Sequence, residues 1–251
     1  MINRNGTRIL TLDFNGVFKR SWDVVGTQTS IAALDDDVYV TGLPDSSGKR
    51  QVQVYSSEGV LIRSWTRKGR RNRGYSQSPS RLAISNKGEV YVADSWGRNV
   101  QVFDRNGSFV RKWNHRGEDQ PSEVESIAIS ESNDGEDEVY LAHDDRIEIF
   151  SGCGIYQRTL QVEKWNDDDE EEEFTTTTSA MAISKCDNKV YVSGTFSKTV
   201  QIVDNNDGHY IGKFDTVGGC CGIAIVDNTG DAYVLDNTGI QVFTSDKRDI
   251  I

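Results

Sequence analysis

An all-β chain, a β-propeller of four-stranded antiparallel blades, is the fold class the sequence predicts, and three recurring phrases predict it. A phrase of small and branched residues occurs five times, a Val-Tyr-Val phrase follows each copy, and a Val-Gln-Val phrase follows that. The tyrosines of the second phrase stand at 39, 91, 140, 191 and 233, spaced by 52, 49, 51 and 42 residues. A unit of roughly 40 to 50 residues is the period of propeller blades.

The first phrase reads Arg81-Leu82-Ala83-Ile84-Ser85, Ser126-Ile127-Ala128-Ile129-Ser130 and Ala180-Met181-Ala182-Ile183-Ser184, with looser copies at 30–34 and 222–226. Its alanines suit an innermost strand, where blades crowd an axis. The second phrase (Val38-Tyr39-Val40, Val90-Tyr91-Val92, Val139-Tyr140-Leu141, Val190-Tyr191-Val192, Ala232-Tyr233-Val234) is rich in residues that favour strands. The third (Val52-Gln53-Val54, Val100-Gln101-Val102, Ile147-Glu148-Ile149, Val200-Gln201-Ile202, Ile240-Gln241-Val242) alternates apolar and polar, which predicts a strand with one wetter face. A turn then leads to a fourth strand whose slot holds Trp22, Trp65, Trp113, Leu160 or Phe214. These aromatics, and the tyrosines, are expected to pack between blades and to have no binding role. Asn15-Gly16 and Asn106-Gly107 are expected hairpin turns, because both residue types tolerate positive φ.

The 251 residues are 36% hydrophobic and 27% charged, ordinary for a globular chain. No apolar run reaches the ~20 residues of a membrane-spanning helix, and Met1-Ile2-Asn3-Arg4-Asn5-Gly6 lacks the apolar core of a secretory signal. No membrane partner is expected. Cys153, Cys186, Cys220 and Cys221 show no Cys-x-x-Cys spacing, so they read as reduced thiols of a cytoplasmic protein; a redox switch at Cys220-Cys221 is the alternative.

Gly88-Glu89-Val90-Tyr91-Val92-Ala93-Asp94, Asn99-Val100-Gln101-Val102-Phe103-Asp104 and Asn106-Gly107-Ser108-Phe109-Val110-Arg111-Lys112-Trp113 resemble an NHL repeat. The resemblance covers nearly the whole chain. Asp94 and Asp236 keep the family's Asp after the second strand, where Gly42, His143 and Gly194 depart from it. The resemblance implies a propeller, typically six-bladed, serving as the substrate-recognition part of a ubiquitin-ligase-like protein. One NHL-like domain is expected over 1–251, with a partial blade at about 1–22, blades at about 30–65, 81–113, 126–160, 180–214 and 222–251, and an acidic loop at 166–178. Five complete blades plus a partial sixth is favoured; a five-bladed ring closed by the amino-terminal strands is the alternative.

Charge carries the functional expectation. Residues 60–116 hold 13 Lys and Arg against 3 acids, a net of +10, and residues 117–175 hold 3 bases against 20 acids, a net of -17. Such segregation steers partners. Arg67, Lys68, Arg70, Arg71, Arg73 and Tyr75 fall in one connection between blades, Trp96 and Arg98 in the next loop, and Arg116 in the following connection. All three should open on one face. Arg beside exposed aromatics suits an acidic protein partner, with single-stranded RNA as the alternative, since Arg grips anions bidentately and aromatics stack on bases. With a net charge of -11 the whole chain is no generic nucleic-acid binder.

No catalytic residue, metal, cofactor or small-molecule substrate is expected. His115, His143 and His209 fall at different phases of the repeat, and the inner-strand starts Ser30, Arg81, Ser126, Ala180 and Gly222 form no ring of acids or histidines. A propeller hydrolase or lyase is the remote alternative. Asp167–Glu173 is a run of seven acids without the ligand spacing of a calcium loop, and reads as a solvated segment that could compete for the basic face.

Overall fold

The computed structural model describes residues 1–2, 6–13, 16–42, 51–66, 81–94, 99–115, 123–132, 134–143, 145–162, 178–194, 197–226 and 229–244. These form 21 strands and no helix. The chain divides into two compact units, Met1–Val124 and Glu125–Ile251.

In the first unit, β1 (Arg8–Leu12) and β2 (Phe18–Asp23) make a two-stranded antiparallel sheet of their own. Blade one is β3 (Gln28–Leu34), β4 (Asp37–Gly42), β5 (Gln51–Ser56) and β6 (Leu61–Thr66), hydrogen-bonded in chain order. Blade two is β7 (Arg81–Ile84), β8 (Val90–Asp94), β9 (Asn99–Phe103) and β10 (Phe109–Asn114), again a simple meander. The inner strands β3 and β7 meet where Leu82 N–H donates to Ser30 Oγ at 3.0 Å and Arg81 Nη1 donates to the Thr29 carbonyl at 3.2 Å.

In the second unit, blade three is β11 (Ser126–Glu131), β12 (Asp137–Ala142), β13 (Arg146–Ser151) and β14 (Tyr156–Gln161), and blade four is β15 (Thr178–Ser184), β16 (Lys189–Gly194), β17 (Thr199–Asp204) and β18 (Tyr210–Asp215). Blade five shows three described strands, β19 (Cys220–Val226), β20 (Asp231–Asp236) and β21 (Ile240–Phe243). The acidic segment expected to reach 178 stops earlier: Thr178 begins β15 and is buried. Inner strands β3, β15 and β19 each start two residues ahead of the recurring phrase, across a bulge at Thr29, Ser179 and Cys221.

The second and third phrases occupy the middle of each sheet, covered on both faces. Tyr39, Tyr91, Tyr140 and Tyr191 are fully buried. The third phrase departs from expectation: Gln53, Gln101, Glu148 and Gln201 are buried rather than wet. The polar side chain survives there because it finds a partner. Gln53 Nε2 donates to the Val25 carbonyl at 2.9 Å, and Gln53 Oε1 accepts from the Tyr55 hydroxyl at 2.6 Å. A buried amide costs free energy only when such bonds are missing.

The hairpin at Asn106-Gly107 also differs from the expected Asn-Gly geometry, while Asn15 lies outside the described residues. Only the glycine takes positive φ, +87° at Gly107. Gly107 N–H donates to the Asp104 carbonyl and Asp104 N–H to the Ser108 carbonyl, both at 2.9 Å, a three-residue loop closed by a glycine bulge. The Asp104 carboxylate accepts the N–H groups of Asn106 and Ser108 at 2.9 and 2.7 Å. The pattern of a Ser or Asp three residues before Gly repeats at Ser56–Gly59, Ser85–Gly88, Ser132–Gly135 and Ser151–Gly154.

These outer turns lock sheet to sheet. A Cβ on Gly59 would lie 2.5 Å from the Trp22 ring, one on Gly107 2.5 Å from the Trp65 ring, and one on Gly208 2.9 Å from Leu160 Cβ. Gly59, Gly107 and Gly208 thus rest on the outer-strand slot of the preceding sheet. Around the lock, Tyr39, Val52, Val54, Leu82, Val90, Val92 and Phe103 form the core between blades one and two, and Tyr140, Ile147, Ile149, Val190, Val192 and their neighbours form that between blades three and four. The β1–β2 pair meets blade one through Ile9, Val40 and Tyr55.

Strands β2, β6, β10, β14 and β18, the last of their sheets, each carry a bulge at a matching place. Lys19, Ile62, Val110, Gln157 and Ile211 stand unpaired between Phe18 and Arg20, Leu61 and Arg63, Phe109 and Arg111, Tyr156 and Arg158, and Tyr210 and Gly212. The bend tilts exposed apolar residues, among them Leu61, Ile62 and Val110, along the rim.

The glycine lock is tested by a pair of alanines. Gly16 has φ +77° with nothing within 4 Å of its would-be Cβ, whereas Gly107 has φ +87° and the Trp65 ring against it. Gly16→Ala should cost only backbone strain, ~1 kcal/mol. Gly107→Ala adds overpacking and should cost roughly 3 kcal/mol. Urea unfolding midpoints of the two variants measure the difference; equal shifts would show that the ring contact contributes nothing.

Candidate functional site

Arg67, Lys68, Arg70, Arg71, Arg73, Tyr75, Trp96, Arg98 and Arg116 all lie outside the described residues, as does the acidic run 167–173. The strand ends that flank them are described. Arg81, which follows the arginine-rich connection, pairs with Ala93; Asp94, which precedes the Trp96 loop, pairs with Asn99; and Asn99 pairs with Asn114, two residues before Arg116. The three segments are therefore anchored at one end of blade two. Asp94 and Asn99 are buried at that end, as is His115.

Seams between sheets hold charges that the repeat reading missed. Arg63 Nη2 donates to Asp37 Oδ2 at 2.6 Å and to the Tyr39 hydroxyl at 3.1 Å. Arg111 grips Glu89 through both terminal nitrogens at 2.6 and 2.5 Å and reaches the Tyr91 hydroxyl at 2.9 Å. Arg158 Nη1 donates to Glu138 Oε1 at 2.9 Å, and the Tyr140 hydroxyl donates to Glu138 Oε2 at 2.8 Å. The Arg111 guanidinium holds the Glu89 carboxyl below the usual carboxylate range. Burial, then the Glu138 carboxylate, pushes the Tyr140 phenol up. The tyrosines expected only to pack are thus also hydrogen-bonded. A sequence signal existed: an acid two residues before Tyr, and Arg two residues before the outer-strand slot, in each of blades one to three. The same Arg reaches forward: Arg20 donates to the Ser57 carbonyl at 3.3 Å, Arg63 to that of Arg105 at 2.9 Å, and Arg158 to that of Asn205 at 3.2 Å.

Blade three carries a charged substitute for the buried glutamine. Glu148 stands where Gln53, Gln101, Gln201 and Gln241 stand in the other repeats. Its Oε2 lies 3.4 Å from Nε2 of His143, which is fully buried, and its Oε1 accepts from Arg146 Nε at 3.1 Å. Burial acts to raise the Glu148 carboxyl, but the His143 imidazole and then Arg146 outweigh it and hold it low. The cluster ties the short loop after β12 to β13, and His143 N–H donates to the Arg146 carbonyl at 2.8 Å. Both side chains are closed to solvent, so this arrangement secures a blade end and offers no acid–base pair to a substrate.

In blade five the same corner is built on Asp236. Its carboxylate accepts the N–H groups of Gly218, Thr238 and Gly239 at 2.9, 2.7 and 2.9 Å, the Thr238 hydroxyl at 2.7 Å and the Gln241 amide. Burial opposes ionisation there, but Thr238 and the backbone donors prevail and lower the carboxyl to about 2. The donor atoms of Asp204, Asp207 and His209 approach within 4.8 Å of one another. Asp204 there accepts Asn206 N–H at 2.7 Å and Asp207 accepts His209 N–H at 3.0 Å, so the carboxylates serve the turn itself. All four cysteines are free thiols, with Cys220 buried and Cys153, Cys186 and Cys221 exposed.

With this geometry in hand, comparison with known proteins bears on the fold. No protein-family model matches the chain, and no curated protein matches it. Among solved structures it is similar to the selenomethionine-substituted virginiamycin B lyase from Staphylococcus aureus, with a TM-score of 0.54 and 13% identity over 86% of this chain and 69% of that one. The fold is a β-propeller. At such identity the likeness extends to architecture alone.

The Asp236 corner gives a pH test. A carboxyl lowered to about 2 contributes stability that is present above the ordinary carboxylate range and is lost as pH falls through about 2. Asp236→Asn should therefore be less stable than the parent at pH 7. The gap should close on acidification from about pH 4 toward pH 2. Thermal melts across that range check it; a gap independent of pH would sink the assignment.

Proposed function

We propose that this chain is a non-catalytic recognition platform of the NHL-repeat type. Its basic connections, Arg67–Tyr75, Trp96–Arg98 and Arg116, receive a protein partner with an acidic surface. The observation that carries this reading is charge segregation: +10 over residues 60–116, concentrated in segments anchored at one end of blade two. Sheets covered on both faces supply a rigid base, so little ordering entropy is lost when loops on them engage a partner. Arginine fits the task because its planar fork grips carboxylates through two parallel hydrogen bonds. The partly buried charges of the seams and the buried His143–Glu148 corner are engaged within the blades. The similar solved structure is named a lyase, and an enzymatic propeller is the competing class.

Affinity capture from lysate, with and without ribonuclease, tests the reading together with the triple variant Arg70→Glu, Arg71→Glu and Arg98→Glu. Capture that withstands ribonuclease and falls at least ~10-fold in the variant supports a protein partner, since each lost charge pair at an interface costs on the order of 1 kcal/mol or more. Capture lost on ribonuclease treatment, with a steep dependence on salt, replaces the protein partner by RNA. Capture unchanged in the variant discards the basic connections as the site.

A further inference from the structure

Among the described four-stranded blades, blade four breaks the repeating clamp. In blades one to three the residue two before the outer-strand slot is Arg63, Arg111 or Arg158, opposite Val54, Val102 and Ile149. In blade four that register position, opposite Ile202, is Gly212. The acid two residues before the tyrosine changes with it, from Asp37, Glu89 and Glu138 to Lys189. The two changes are coupled by charge, because an arginine beside Lys189 would be repelled. Lys189 turns instead to Asp187 at 3.1 Å, and the Tyr191 hydroxyl donates to the same carboxylate at 3.2 Å. Gly212 has no side chain to reach forward as Arg20, Arg63 and Arg158 do.

What joins blade five to blade four is therefore chiefly apolar. Tyr191, Val200, Ile202, Phe214, Cys220, Ala232 and Val234 form that core, and the Phe214 and Phe243 rings stand 4.5 Å apart. Cys220 N–H adds one backbone bond to the Ser197 carbonyl at 3.1 Å. Blade five is also less covered than the other four blades over its described residues. Its tyrosine, Tyr233, is half-buried where its four counterparts are fully buried, and Val242 is 45% exposed where Val54, Val102, Ile149 and Ile202 are fully buried. Greater exposure of its middle and outer described strands and a missing charge clamp mark a low-stability cooperative unit.

We propose that β19–β21 opens as a unit ahead of global unfolding, hinged on the connection from β18, and carries Cys220 out of the core when it does. Cys220 is 3% exposed in the closed sheet, so its thiol reports the opening directly. The measurement is the labelling rate of Cys220 by an aromatic disulfide reagent in a chain carrying Cys153→Ser, Cys186→Ser and Cys221→Ser, across a urea series below the unfolding transition. Labelling at least ~10-fold faster than global unfolding, with a clearly shallower urea dependence, is the expected result. Labelling that coincides with global unfolding in rate and urea dependence overturns the proposal. Rebuilding the clamp with Lys189→Glu and Gly212→Arg should slow the labelling by ~10-fold; an unchanged rate in that folded variant also overturns it. Should the double variant fail to fold, amide exchange of the parent decides. Exchange in β19–β21 ahead of β11–β14 upholds the unit, and simultaneous exchange rejects it.

Discussion

The contact between a turn glycine and the outer-strand slot of the sheet before it sets the spacing on which the rest of the structure depends. Gly59 on Trp22, Gly107 on Trp65 and Gly208 on Leu160 bring backbone against side chain with no room for another carbon. That approach fixes how closely one blade follows the next within each unit. Once it is fixed, the Val-Tyr-Val strands are sandwiched, and Tyr39, Tyr91, Tyr140 and Tyr191 lose all contact with water. The glycine meets two demands at the same position, a left-handed backbone and a flat face for the ring.

Sandwiching the tyrosines creates a second requirement, since a phenol hydroxyl in a dry seam needs a partner. The acid two residues earlier and the arginine of the outer strand supply it in blades one to three. Each charge is compensated within its own sheet, and further donors of Arg63 and Arg158 bond a carbonyl of the next turn. Partly buried ion pairs seldom add much stability by themselves, because desolvation offsets attraction. Their value here is alignment: a guanidinium bonded to acid, phenol and neighbouring carbonyl admits one relative placement of two sheets.

The repeat, the four strand phrases and their order were legible because each strand's apolar pattern is local. The blade-end Asp was legible in Asp236 as a family mark, though not as a carboxylate gathering five donors. The burial of Gln53, Gln101 and Gln201 was not legible. Alternation along a strand shows which residues share a face and not whether a neighbouring sheet covers that face. The Asn-Gly pair misled for a related reason, since Asn106 and Gly107 fit both a two-residue turn and a longer bulged one, and the Asp104 carboxylate selects the latter. Arg63, Arg111 and Arg158 were visible as charges, but pairing them with acids some twenty residues upstream required the strand register. Of the expected basic face, the residues could be named and their common strand-end anchorage derived from the repeat, while their side chains lie outside the described residues.

The bulge shared by the five outer strands bears on how the molecule keeps to itself. An outer strand ends its sheet with unpaired amides and carbonyls, and a straight one would be a template for another molecule's strand. Lys19, Ile62, Val110, Gln157 and Ile211 break the regular spacing of those groups at a matching point in each sheet. An approaching strand could match the hydrogen-bonding rhythm on one side of the kink or the other, but not through it. Valines, leucines and isoleucines on these strands therefore sit beside an interrupted ladder, and the residue that spoils the ladder works against strand-on-strand pairing.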